Sequence, residues 1–86
     1  MKRVQVLYRL KSLMEDNLDI LAETITNECG KTKSESYGEL QRAIENIEVA
    51  CGTPMLIQGD FIEDIASGID EMMIRQPLGV TACITP

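Results

Sequence analysis

Arg42 is one residue of this 86-residue chain whose type could hold a small charged molecule. Its guanidinium offers forked donors that match the geometry of a carboxylate. Leu40, Ile44 and Ile47 recur at helical spacing around it and take one face, so Arg42 points about 200° away from both Leu40 and Ile44. There it is either a solvated helix arginine, paired with Glu39, Glu45 or Asn46, or a guanidinium turned toward a cleft. A second candidate group is Ile84, Thr85 and Pro86, which end the apolar, partly β-branched run 80–84. That run reads as a strand buried on both faces. In open α/β sheets a ligand sits outside the carboxyl ends of such strands. The pointer rests on topology, since the sequence holds no glycine-rich phosphate loop.

Other reactive side chains carry less. Cys29, Cys51 and Cys83 form no C-x-x-C pair, and the chain has no histidine. A Cys/His zinc site and a histidine-activated nucleophile are therefore excluded within it. Cys83 lies in the apolar run and is expected to be buried and inert. Glu35, Glu39, Glu45 and Glu48 lack partners at metal-ligand spacing and read as a solvated helix face. The expectation is no catalytic residue and no metal ligand in this chain.

The elements that must position these groups follow from periodicity. Val4, Leu7, Leu10, Met14, Leu18, Leu21 and Ile25 recur at steps of three or four. Asp16-Asn17 favours a cap over a helix interior, which predicts two consecutive helices over 2–15 and 17–28, with Gly30 just past the second. The first has no N-cap residue before it. Thr32-Lys33-Ser34-Glu35 fits a capping box opening a third helix over 34–51, closed by Gly52, with Pro54 preventing resumption. Gly38 inside that helix implies close packing or an irregular first turn. Beyond Gly59 the texture is extended: residues 60–62 and 72–76 are strand candidates, and Pro77-Leu78-Gly79 is a turn. The domain reading is a helical segment over 1–58, a β-arm over 59–78, and a strand of a further domain over 79–86.

Composition sets the outer bounds. A net charge of −6 disfavours nucleic acid as a partner, because phosphate binding needs clustered Lys and Arg. No stretch approaches the roughly 18 apolar residues of a membrane span, and no signal-peptide core follows Lys2-Arg3. Acidic balance and unpaired cysteines suit the cytoplasm. An apolar strand that ends the chain has no layers to cover it, so the chain is expected to be a piece of a larger protein.

Four segments together carry a family resemblance. Glu28-Cys29-Gly30-Lys31 resembles a Glu-x-Gly-Lys motif. Gly38-Glu39-Leu40-Gln41-Arg42-Ala43-Ile44-Glu45 resembles Gly-Glu-Val-x-Arg-Gly-Ile-Glu. Ala50-Cys51-Gly52-Thr53-Pro54-Met55-Leu56 resembles Ala-Cys-x-x-Pro-x-Leu. Arg75-Gln76-Pro77-Leu78-Gly79-Val80, with Ile84-Thr85-Pro86, resembles the entry into a cofactor domain. All four are similar to the aldehyde dehydrogenase superfamily, most of all to its CoA-acylating methylmalonate-semialdehyde branch.

The resemblance implies an α/β fold: amino-terminal helices, then a β-arm used in assembly of a homotetramer, then the first strand of a Rossmann-like NAD domain. It implies Arg42 as the holder of a substrate carboxylate, and Ile84, Thr85 and Pro86 as NAD contacts. The implied chemistry is oxidation of a semialdehyde through a cysteine thioester, with CoA as acyl acceptor. The implied nucleophile is none of Cys29, Cys51 and Cys83, so this chain is expected to be inactive alone. Ala43 and Cys83 stand where the family pattern has Gly. Two alternatives remain open: another branch, such as a succinate-semialdehyde dehydrogenase, and a free-standing helical interaction module.

Overall fold

The computed structural model describes residues 2–85. They form two compact units, Met1–Leu56 and Ile57–Pro86. The first is helical: α1 (Val4–Asp16), α2 (Leu18–Cys29), α3 (Lys33–Cys51) and the single turn α4 (Thr53–Leu56). The second holds an antiparallel pair, β1 (Asp60–Ala66) and β2 (Ile69–Met73). Helices followed by strands is the expected α/β order.

Asn17 separates α1 from α2 as expected. Its side-chain amide donates to the Leu13 carbonyl at 2.7 Å, and its backbone leaves the helical region at φ −118°. Local side-chain bonding of this kind competes with the helical ladder. A half-buried stripe of Val4, Leu7, Met14, Leu18, Leu21 and Ile25 runs across the break. Leu10, expected in that stripe, is 43% exposed. Lys11 takes its place, because its long stem can lie against the neighbouring helix while the ammonium reaches Glu15 at 2.9 Å and Glu48 at 3.2 Å. Those two hydrogen bonds, Glu15 first, hold the Lys11 pKa above its ordinary value.

Gly30 ends α2 in the left-handed region at φ 72°, with its N–H on the Thr26 carbonyl at 2.9 Å. Both halves of the capping box at α3 form. Thr32 Oγ1 accepts from the Glu35 N–H at 3.3 Å, and Glu35 Oε2 accepts from the Thr32 N–H at 3.0 Å and its hydroxyl at 2.8 Å. The side-chain bond first, and the backbone bond second, hold the Glu35 carboxyl below its ordinary value. The folded pKa is the lower one, so the stabilisation is complete above the unfolded value and is lost as pH falls through the folded value. A Glu35→Ala variant is therefore expected to melt below the wild type at neutral pH, with the gap closing below about pH 4. Thermal melts followed by circular dichroism from about pH 7 to about pH 3, a range that brackets the ordinary carboxylate pKa, check it; a gap that persists unchanged in acid counts against the cap.

α3 returns antiparallel to α1 and α2, since its contacts climb as theirs descend: Ser36 meets Thr26, Tyr37 meets Asp19, and Glu48 meets Lys11. Ala22 and Ser36 are fully buried at the crossing of α2 and α3, and Leu40 nearly so. Small side chains there let the backbones approach. The Ser36 hydroxyl is satisfied by Thr26 Oγ1 at 2.9 Å and the Thr32 carbonyl at 3.2 Å. No buried side-chain polar atom among the described residues lacks a partner.

Two expectations for α3 fail. Gly38 is exposed, and a Cβ built there meets nothing within 4 Å, so close packing does not explain it. Pro54 does not stop the chain from resuming. It sits in the first turn of α4, where a missing N–H costs no hydrogen bond. Gly52 is right-handed at φ −77° and leads directly into that turn.

In the second unit β1 is longer than expected, and β2 lies earlier, over 69–73 rather than 72–76. Pairing runs Asp60↔Met73, Phe61↔Met72 and Ile62↔Glu71, then breaks before Ala66↔Ile69. At the break Asp64 is left-handed at φ 52°, and its N–H donates to Asp70 Oδ1 at 2.8 Å. Gly68, at φ 76°, supplies the positive φ of the turn. No strand forms over 79–85 among the described residues. The expected strand at 80–84 has no neighbouring strand there to complete its backbone hydrogen bonds.

Candidate functional site

α3 carries Arg42 on its exposed side, as the spacing of Leu40, Ile44 and Ile47 requires. Its guanidinium has no ion pair among the described residues, although Glu39 and Glu45 each lie three residues away. Its backbone carbonyl accepts from Asn46 Nδ2 at 2.9 Å, so Asn46 is engaged with the main chain rather than the guanidinium. Glu39 is taken by Lys31, whose Nζ lies 2.5 Å from Glu39 Oε2. That hydrogen bond raises the Lys31 pKa, and the charge of nearby Arg42 works against the rise.

Glu45 belongs to a different feature. It lines a cleft of about 310 Å³ with Glu15, Leu18, Tyr37, Gln41, Ile44 and Glu48, where α3 passes the α1–α2 break. Tyr37 donates its hydroxyl to Asp19 beside that cleft, and this bond raises the tyrosine pKa. Arg42 does not line it. No group of three or more Cys, Asp or Glu side chains among the described residues could hold a metal ion.

Ile84 and Thr85 lie in the second unit, both exposed, with Ile84 at 96%. Pro86 falls outside the described residues. Cys83 is exposed, which corrects the expectation of a buried thiol; with no strand over 79–85 there is no sheet layer to cover it. Cys29 is also exposed and Cys51 buried. No helix among the described residues is long and apolar enough to cross a membrane.

Sequence reasoning missed the Lys31–Glu39 pair. Lys31 was visible only as the last position of Glu28-Cys29-Gly30-Lys31. Its partner lies eight residues on, past a turn whose direction is set by the left-handed Gly30.

The aldehyde dehydrogenase family model matches residues 1–86. The chain is 45% identical over 85 residues to malonate-semialdehyde dehydrogenase 2 of Bacillus mycoides, covering 99% of this chain and 18% of that protein. It is 45% identical over 85 residues to the malonate-semialdehyde dehydrogenase of Pseudomonas aeruginosa, covering 99% of this chain and 17% of the relative. Among solved structures it is similar to the methylmalonate-semialdehyde dehydrogenase of Oceanimonas doudoroffii. That likeness has a TM-score of 0.74 and 42% identity, over 84% of this chain and 15% of the other. The chain thus spans less than a fifth of the length of the relatives it matches. A helical hairpin of this geometry, followed by this β-pair and matched to that family along its whole length, settles its membership: the chain belongs to the aldehyde dehydrogenase family.

Proposed function

We propose that this chain is part of an NAD-dependent, CoA-acylating dehydrogenase of malonate or methylmalonate semialdehyde, with Arg42 as the anchor for the substrate carboxylate. The observation that carries the reading is an exposed Arg42 guanidinium without an ion pair among the described residues, in a chain 45% identical to malonate-semialdehyde dehydrogenases. Semialdehydes of this class have a carboxylate at one end and an aldehyde at the other. A fork of donors that fixes the carboxylate also fixes the distance to the reacting carbon.

Ile84, Thr85 and Pro86 are the proposed contacts to NAD. Ile84 and Thr85 fit that role: they are exposed, lie in no strand ladder among the described residues, and offer main-chain groups and one hydroxyl. When bound, NAD takes up the hydride released as the aldehyde is oxidised. The nucleophilic cysteine and the CoA-binding groups belong to the rest of the protein, and this chain alone is inactive. The β1–β2 arm serves homotetramer assembly, and the enzyme works in the cytoplasm.

The test is NADH formation by the full-length enzyme on malonate semialdehyde, with and without CoA. Acyl-CoA should accumulate in step with NADH, and omission of CoA should stop turnover after one equivalent per active site, since the thioester then has no acceptor. Sustained turnover to free acid without CoA would move the protein to a non-acylating branch such as the succinate-semialdehyde dehydrogenases.

A further inference from the structure

Arg42 is open to an external carboxylate even though the chain supplies carboxylates of its own close by. Glu39 lies three residues before it on α3, a spacing at which Glu and Arg ordinarily meet. Glu45 lies three residues after it and lines the cleft facing the α1–α2 break instead. Glu39 is half-buried and drawn the other way, onto Lys31 Nζ at 2.5 Å. Lys31 can reach it because Gly30 turns the chain in the left-handed region, which brings the start of the α2–α3 connection over the first turns of α3.

We propose that Lys31 is a positioning residue: by holding Glu39 in an ion pair it keeps that carboxylate off Arg42 and leaves the guanidinium free for the carboxylate of the substrate. Two cations and one carboxylate therefore lie near one another along the first half of α3, and the spare positive charge is that of the exposed Arg42. The inference rests on the reading of Arg42 given above. It adds a specificity consequence, because internal neutralisation of Arg42 would penalise carboxylated aldehydes and leave uncharged ones unaffected.

The experiment compares malonate semialdehyde with propanal, an uncharged aldehyde, in the full-length enzyme. Lys31→Met should raise KM for malonate semialdehyde about threefold to fivefold, the range of one exposed ion pair redirected onto Arg42. KM for propanal and both kcat values should stay at wild-type levels. Lys31→Arg should behave as wild type. The double variant Lys31→Met/Glu39→Gln should bring KM for malonate semialdehyde back, because the competing carboxylate is then gone. A Lys31→Met defect equal for both aldehydes, or one that the double variant retains, would overturn the proposal in favour of a structural role. Arg42→Gln measured alongside separates the two levels. If it leaves the preference for malonate semialdehyde intact, the carboxylate-anchor reading falls and this inference with it. If it abolishes the preference while Lys31→Met does nothing, the positioning role alone falls.

Discussion

Replacing Arg42 by Gln in the full-length dehydrogenase is expected to raise KM for malonate semialdehyde about 10- to 100-fold, the loss of a charge-assisted, two-pronged hydrogen bond. The same change should leave KM for propanal within about twofold, because propanal has no carboxylate for the guanidinium to hold. Arg42 is exposed on α3, so the variant should fold with wild-type helicity. Lys at this position should recover only part of the affinity, since an ammonium is a point charge and not a fork. Steady-state kinetics on the two aldehydes decide the matter. An equal loss on both would mean that Arg42 supports the subunit rather than the substrate.

The second large effect is expected at Gly59, which leads into β1. A Cβ built there would stand 2.0 Å from the Met73 carbonyl oxygen and 3.2 Å from its carbon. Backbone atoms cannot swing aside as a long side chain can, so Gly59→Ala must push the two strand ends apart. Overpacking of that kind costs about 3 kcal/mol. A two-stranded pair is marginal in water by itself, and this one exposes Phe61, Ile62, Ile65, Ile69 and Met72. The hairpin is thus expected to lose its register from the open end. Amide hydrogen exchange at Phe61 and Met72 should accelerate strongly in Gly59→Ala. Gly38→Ala, where added bulk meets open space, serves as the control that changes nothing in the hairpin. Unaltered protection in Gly59→Ala would show that the strand ends can part without disturbing the ladder.

The helical unit was largely legible because its signals are local. Steps of three and four, Asn17, Gly30 and the Thr32–Glu35 box each act within one or two turns, and the observed helix ends fall within two residues of those expected. The hairpin was less legible for a physical reason. Glu63 and the left-handed Asp64 interrupt the alternation that marks a strand, so only the first three residues of β1 stood out. The run at 80–84 is a different case. Its composition suits a sheet interior, yet a strand is defined by its neighbours, and none lies beside it among the described residues. Arg42 was legible by type and face. What keeps it unpaired was not, because the Lys31–Glu39 contact depends on the direction taken by the chain after Gly30.

The irregularity in the hairpin is confined to one strand. Between the pairs Ile62↔Glu71 and Ala66↔Ile69, β1 contains Glu63, Asp64 and Ile65, whereas β2 contains Asp70 alone. The surplus is an even number of residues. Side chains alternate with a period of two along the regular β2, so Ile69 keeps the face of Glu71 and its partner Ala66 shares it, while the surplus is taken up in β1 at Glu63–Ile65. A single-residue deletion at Asp64 would reduce the surplus in β1 to one residue, a simple bulge, and leave Ile69 on the face that β2 already fixes.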